Sequence, residues 1–151
     1  MNIFPLHSIL FSSFIFFNLV LLPAQDSTVN GSRQCVQISN LGKGKGALMM
    51  AWFNSEEAFR KKDKAVYSRK QEVRGEDSVN IYFDEVPPGT YAIAVFLDEN
   101  GNGKLDVNMF GIPKEKYGFS NNIYPAFRGA NYKEASFQIQ DQEQTIRIRF
   151  K

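Results

Sequence analysis

The chain has 151 residues, a formal net charge of +2 at pH 7, one cysteine, Cys35, and one histidine, His7. The near-neutral charge argues against nucleic acid as a partner, and a lone cysteine excludes an internal disulfide. His7 lies at the N-terminus, beside an apolar segment, so the rest of the chain contains no histidine. A domain without histidine excludes Ser-His-Asp and Cys-His catalysis and histidine-ligated zinc or iron.

The N-terminal segment is apolar over residues 9–22, and a Pro-Ala pair and polar residues follow it. A run of this length is short for a bilayer span and matches the core of a signal peptide with a small residue at the cleavage site. We therefore predict a signal peptide at 1–24, a flexible leader at 25–34 and a single domain at 35–151, with no transmembrane span in the mature chain. The alternative is an uncleaved N-terminal anchor. The predicted location is the periplasm, the outer membrane surface or the extracellular medium.

Several segments of the remaining chain show the alternating or short apolar patterns of β-strands. Two of them, Ala47 to Phe53 and Thr90 to Leu97, are apolar on both faces and are predicted to be central. Ser55 before an acidic pair predicts a short helix over Glu56–Lys62. The other predicted strands are Gln34–Ser39, Ser78–Phe83, Ser136–Gln140 and Gln144–Lys151.

Strands at this spacing, with a single helix and no βαβ rhythm, predict the fold class. We expect an all-β protein, an immunoglobulin-like antiparallel β-sandwich of about seven strands with one short helix. The most basic segment, Arg60 to Arg74, contains a candidate further strand at Ala65 to Glu72. Its functional interpretation is contact with an anionic polymer, and its structural interpretation, which we favour, is a solvated excursion between strands.

An acidic, glycine-rich loop follows the second apolar strand. It reads Asp-Glu-Asn-Gly-Asn-Gly-Lys-Leu-Asp over 98–106, with oxygen side chains at the first, third, fifth and ninth places and glycine at the sixth. This is the spacing of an EF-hand-type calcium loop up to its ninth place, because alternate residues of a tightly wound loop turn their oxygens inward. The predicted calcium ligands are Asp98, Asn100, Asn102, Lys104 through its backbone carbonyl, and Asp106.

The acidic loop departs from an EF-hand at the twelfth place, where Met109 replaces the closing glutamate. A further ligand then has to come from elsewhere, and the candidates are Glu99, Asn108, Asp84, Glu85 and Glu115. Two neutral asparagines among the ligands predict a modest affinity. Two other interpretations stay open: a metal-free Asn-Gly turn held by side-chain-to-backbone hydrogen bonds, and a pair of carboxylates used for acid/base catalysis.

A second loop, from Phe110 to Asn122, carries no catalytic motif. Its apolar side chains are predicted to pin it to the edge of the sandwich: Phe110, Ile112, Tyr117 and Phe119. Loops positioned by a rigid sandwich commonly carry function, although such a loop also serves to cover a sheet edge. The candidate ligand-binding residues are Lys114, Glu115, Tyr117, Ser120 and Asn121.

Three motifs stand in order along the chain: Pro-Gly-Thr-Tyr-Ala at 88–92, the acidic loop at 98–106, and Gly-Ile-Pro-Lys-Glu with Tyr-Gly-Phe-Ser-Asn within 111–121. Together they resemble a family of exported bacterial proteins named domain of unknown function family 2141. The resemblance covers most of the chain, from about Val36 to Phe150. It departs at Leu97, where many members have histidine, and at 130–137, where many have a Pro-Ser-Phe-like stretch. The resemblance implies export and one β-rich domain, and it brings no activity.

The sequence thus predicts a non-enzymatic, structural or ligand-binding protein of the bacterial envelope with calcium as its cofactor. The predicted partners are an envelope polysaccharide or another surface protein, and not nucleic acid. The alternative is a carboxylate-dependent hydrolase acting on an envelope glycan or ester. That reaction needs two carboxyl groups facing each other across a cleft, such as Glu115 opposite Asp98 or Asp106.

Overall fold

A computed structural model describes residues 31–126 and 128–151. The predicted signal peptide and all but the last four residues of the predicted leader lie outside these ranges. Within them, no helix is long and apolar enough to cross a membrane. The elements are β1 Ser32–Ser39, β2 Lys45–Phe53, α1 Glu56–Lys61, β3 Tyr67–Arg74, β4 Ser78–Val86, β5 Gly89–Asp98, β6 Tyr117–Phe119, a 3-10 turn Ser120–Asn122, α2 Tyr132–Ala135, β7 Ser136–Ile139 and β8 Gln144–Arg149.

The strands form two sheets, so the predicted all-β sandwich is confirmed. The first sheet has the order β4-β1-β8, and the second has the order β3-β2-β5-β6, with β7 also paired to β5. One pair departs from the expected antiparallel pattern, because β1 and β8 run parallel with Val36 opposite Ile146. The two strands are far apart in sequence, so no local turn dictates their relative direction.

The first strand begins earlier than predicted. β1 starts at Ser32, and Gln34 is fully buried, so the last residues assigned to the leader belong to the sheet. Polar residues are held there by specific bonds: the hydroxyl of Ser32 donates to the carbonyls of Gln140 and Gln142. The polar composition of residues 32–34 predicts a flexible leader, but their polar groups find hydrogen-bond partners inside the fold.

The main core lies between the two sheets and is filled by alternating residues of the strands. In β2 the inward residues are Leu48, Met50 and Trp52, and in β8 the buried Ile148 lies between exposed arginines, as its pattern predicts. Cys35 is buried, as a small apolar residue would be. The inner face of the five-stranded sheet therefore meets the three-stranded sheet and leaves its outer face to be covered by other elements.

The outer face of the five-stranded sheet is covered at one end by the two short helices. Phe53 of β2 and Ala92 of β5 pack there with Ala58 and Phe59 of α1 and with Ala135 of α2. This second cluster explains why β2 and β5 are apolar on both faces. Helix α1 begins as predicted, since the hydroxyl of Ser55 accepts the N–H of Ala58 at 3.4 Å.

Strand β3 is an edge strand and contains the second half of the basic segment, with three of its seven lysines and arginines. From Ser68 to Arg74 every residue of β3 is exposed except the buried Val73, so six of its eight residues are exposed. Lys70 pairs with Glu72 at 3.4 Å, and both side chains are largely exposed. Charged side chains on an edge strand hinder pairing with another chain, which gives the basic residues of β3 a structural role.

Candidate functional site

The acidic loop at 98–106 begins where β5 ends, and Asp98 is its buried foundation. The side chain of Asp98 is 3% exposed. One carboxylate oxygen accepts the N–H groups of Gly101 and Asn102 at 2.8 and 3.1 Å, and the other accepts that of Gly103 at 2.8 Å. The loop is therefore wound around the Asp98 carboxylate, and Gly103 takes the positive φ of +74° that the sequence predicts at the sixth place.

The remaining side chains at the predicted ligand positions converge on Asp106. The amide of Asn100 donates to one oxygen of Asp106 at 2.5 Å, and the amide of Asn102 donates to the other at 3.2 Å. The side-chain oxygen of Asn100 accepts the N–H of Asn102, and that of Asn102 accepts the N–H of Lys104. The structure thus brings together three of the four predicted side-chain ligands by direct contact, with each asparagine oxygen retaining a second lone pair.

Glu115 joins the two ends of the acidic loop by hydrogen bonds. It is 8% exposed, and its two oxygens accept the N–H groups of Glu99 and Asp106 at 3.1 and 2.9 Å, one at each end of the loop. This places a residue predicted to bind ligand in a structural clamp. The two hydrogen bonds also occupy the Glu115 carboxylate. The hydrolase alternative would need that carboxylate to face a second carboxyl group across an open cleft.

Two of the other candidates for a missing calcium ligand are separated from the acidic loop. Asp84 and Glu85 lie just before β5 begins, whereas the loop starts at its end, roughly 30 Å away for ten residues at about 3.3 Å each. Asn108 is engaged nearby, where its side-chain oxygen accepts the N–H groups of Phe110 and Ile112. Among residues 31–126 and 128–151, no three histidine, cysteine, aspartate or glutamate side chains form a metal-binding cluster, so a calcium site here would need amide and carbonyl oxygens in addition to its carboxylates.

Two further ligand-binding candidates hold the fold together. Ser120 is fully buried, and its hydroxyl accepts the N–H of Ile93 at 2.9 Å and donates to the carbonyl of Ala135. Ile93 is the residue at which the partner of β5 changes from β7 to β6, so the serine completes the ladder at that gap. Asn121, at a φ of 61°, donates its amide to the carbonyls of Glu134 and Ser136.

Replacing Ser120 by alanine should therefore lower stability. Ser120→Ala leaves the buried N–H of Ile93 without an acceptor, and we expect a loss of about 1–3 kcal/mol in the free energy of unfolding by urea denaturation. Ser68→Ala, at an exposed serine of β3, is the matched control and should stay within about 0.5 kcal/mol of the original protein. Equal stability of the two variants would contradict this structural role of Ser120.

The segment between the acidic loop and β6 does not pack as predicted. Tyr117 and Phe119 lie against each other and against the sandwich, but Phe110 and Ile112 are exposed. They form, with Val107 and Met109, a protruding turn that we call the apolar tip, residues 107–112. The prediction that Phe110 and Ile112 pin the loop to the sandwich is therefore wrong. The buried Glu115 anchors this segment instead, through hydrogen bonds to the acidic loop.

Two adjoining cavities lie beside the loops. One, of about 780 Å³, lies beneath the apolar tip, and the other, of about 670 Å³, lies on the open part of the outer sheet face. They share Lys62, Leu105, Tyr117 and Phe119. The candidate residues Lys114, Glu115 and Tyr117 line the first cavity.

Lys62 stands at the junction of the two cavities, and its position was not anticipated from the basic run that contains it. It follows α1 at a φ of 56°, and its ammonium donates to the carbonyl of Phe59 at 2.6 Å and lies 3.5 Å from the ring centroid of that residue. Although much of the side chain is exposed, burial of the ammonium lowers the pKa of Lys62 to about 8. A signal was available in the two aromatic residues that precede it, Phe53 and Phe59.

Comparison with known families places the chain. A family model described as an uncharacterized protein conserved in bacteria, DUF2141, matches residues 36–147. The chain belongs to this family. The matched range runs from β1 into β8 and includes the acidic loop, the apolar tip and Glu115, so this DUF2141 member carries both loops within the family domain. Comparison with curated proteins and with solved structures finds no match.

Proposed function

We propose that the protein is an exported, non-enzymatic module of the bacterial envelope whose acidic loop binds one calcium ion. The observation that carries the proposal is the convergence of Asn100 and Asn102 on Asp106, above a loop wound around Asp98. Alternating oxygen-bearing residues in a tight loop are the donor set that calcium prefers, because the ion accepts many oxygen ligands in irregular geometry.

The proposed ligands are the side-chain oxygens of Asp98, Asn100, Asn102 and Asp106 together with the carbonyl of Lys104. Without the ion, the two asparagine amides supply the positive partial charge beside the Asp106 carboxylate. Calcium would take over that role and draw on the second lone pairs of the asparagine oxygens. With only two carboxylates in the set, the affinity should fall in the range of extracellular calcium modules, with a Kd of about 10⁻⁴–10⁻³ M.

Calcium binding would stabilise more than the acidic loop. Glu115 joins both ends of that loop to the segment that follows it, and the N–H of Lys114 donates to the carbonyl of Asp106 at 2.8 Å. The chain from Asp106 to β6 is therefore anchored to the ligand positions. Calcium would therefore fix this segment, which lines the cavity beneath the apolar tip.

Calcium titration of the purified protein by calorimetry, with thermal melts in calcium and in chelator, tests the proposal. Saturation should add about 1.4–2.7 kcal/mol of stability at calcium ten- to a hundredfold above Kd. Asp106→Asn should abolish this gain while changing stability in chelator only slightly, because Asp106 is partly exposed. Asp98 is unsuited to this test, since its carboxylate holds the loop together without any ion.

Asp141→Asn provides the matched control. Asp141 is an exposed aspartate in the turn between β7 and β8, and its substitution removes the same charge as Asp106→Asn. This variant should keep the full calcium-induced gain. The calcium proposal fails if the unmodified protein shows no saturable binding at millimolar calcium, or if Asp106→Asn keeps the gain. In either case the acidic loop is an Asn-Gly turn held by its own hydrogen bonds.

A further inference from the structure

The apolar tip exposes four large hydrophobic side chains at one place. Met109 is 89% exposed and Phe110 80%, and Ile112 and Val107 are 58% and 50% exposed. The other large hydrophobic residues exposed in the described ranges stand singly, Val66 just before β3 and Tyr82 in β4, and reach only 40% and 41%. A contiguous group of this kind on a protruding turn marks an interaction site.

Four of the six N–H groups of the tip donate to hydrogen bonds within the tip itself. The N–H groups of Phe110 and Ile112 donate to the Asn108 side chain at 2.9 and 3.0 Å, and the N–H of Gly111 donates to the Asn108 carbonyl at 2.9 Å. The N–H of Asn108 donates to the carbonyl of Ile112, and a bridge joins Val107 to Pro113 at the base. The internal bonds lower the cost of taking the turn out of water, because these four N–H groups keep their hydrogen-bond partners.

Cations surround the base of the tip. The described residues lining the cavity beneath it include five cations, Lys62, Lys114, Lys116, Arg128 and Lys151, and one carboxylate, Glu115. Arg128 is paired with Glu134 at 2.6 Å, so the four lysines carry the positive charge that faces a partner. Glu115 is buried with both oxygens accepting backbone N–H groups. Of the nearby acidic loop, Asp98 is buried, Asp106 accepts two amides, and Glu99 is exposed. The charge around the tip therefore favours an anionic surface.

We propose that the apolar tip inserts into the interface of an anionic lipid bilayer, with the surrounding lysines on the lipid headgroups. Interfacial segments bury apolar side chains about 5–10 Å into the headgroup and acyl boundary, which suits side chains carried on a turn. A second copy of the chain fits less well, because a stable interface buries about 1,200–2,000 Å² and a six-residue turn offers far less. Insertion does not require the proposed calcium ion, although calcium would offset the carboxylates beside the tip.

Vesicle co-sedimentation tests the insertion. The purified protein should bind vesicles of phosphatidylglycerol and phosphatidylcholine in equal parts, and bind pure phosphatidylcholine vesicles more weakly, with binding that weakens as salt is added. The double substitution Met109→Ser with Phe110→Ser should reduce the partition coefficient at least about tenfold, since both side chains lose their apolar burial. It leaves Asn108 and Gly111 in place, and a thermal melt checks that the fold persists.

The matched control removes two exposed apolar side chains elsewhere. Val66→Ser with Tyr82→Ser should bind anionic vesicles like the unmodified protein. Measurements in calcium and in chelator separate this proposal from the calcium site: binding that persists in chelator and is lost in the tip variant supports insertion even if calorimetry shows no calcium binding.

A site-specific label gives a second readout. Because Cys35 is buried and is the only cysteine, Met109→Cys introduces a single accessible thiol for an environment-sensitive dye. Its emission should shift to the blue on anionic vesicles, whereas the same dye at Val66→Cys should not respond. The proposal is overturned if the unmodified protein binds neither vesicle, if the tip variant binds as well as the original, or if the tip instead mediates a dimer that the double substitution dissolves.

Discussion

Replacing Trp52 by alanine should lower the free energy of unfolding by about 3–5 kcal/mol, the range for deleting a large aromatic residue from a core. Trp52 is fully buried near the C-terminal end of β2. Its ring lies 4.9 Å from Phe83 of the opposite sheet and within 5.8 Å of Tyr67, Tyr91 and Phe137. The tryptophan thus joins the two sheets through one aromatic cluster. The expected loss is a large part of the total free energy of unfolding of a typical domain.

Trp52→Phe distinguishes packing from hydrogen bonding at the same position. The indole N–H of Trp52 is buried and has no hydrogen-bond partner among the described residues. Phenylalanine keeps an aromatic ring and removes this unpaired donor, so we expect a loss below about 1.5 kcal/mol. Urea denaturation with unchanged slopes measures both values. Equal losses for the two variants would contradict the view that the aromatic contacts carry the stability.

Replacing Gly46 by alanine should destabilise the protein by about 2–5 kcal/mol, through overpacking and backbone strain together. Gly46 lies in β2 at a φ of +142°, which side chains rarely adopt, and a Cβ there would come within 2.2 Å of the carbonyl oxygen of Asp98. The neighbour is backbone and cannot rotate away. Because Asp98 begins the acidic loop, the displacement should also weaken any calcium response.

Gly129→Ala is the control for Gly46→Ala. A Cβ at Gly129 meets nothing within 4 Å, and its φ is not in the positive range. This variant should unfold within about 0.5 kcal/mol of the original protein. Urea denaturation of both variants measures the contrast, and a Gly46→Ala protein as stable as Gly129→Ala would show that β2 and the start of the acidic loop are less closely packed than described.

Part of the missed structure left a signal in the sequence. Helix α2 was not predicted, yet Asn131 and Glu134 form a complete capping box at its start. The spacing of these two residues is a known helix signal, but the four-residue helix is too short to show an apolar period. Arg128 adds two hydrogen bonds to Glu134 and holds the pKa of that carboxyl at about 2.

The functional candidates divide in the same way. The predicted winding of the acidic loop around positions 98 and 103 follows from local spacing, since each bond there spans only a few residues. The roles of Glu115 and Ser120 come from partners that are nine to twenty-seven residues away, so the local sequence gave no means of telling a buried structural contact from a ligand contact.

The amino-acid sequence by itself determined that this chain is a β-sandwich with two central strands and an acidic loop at the end of one of them. Alternation and turn residues act between neighbours in the chain, so they can be read directly. Only the tertiary structure decided the parallel pairing of β1 with β8, the burial of Glu115 and the exposure of Met109 and Phe110. Each of these depends on packing between segments that are distant in sequence, and a local pattern carries no record of such contacts.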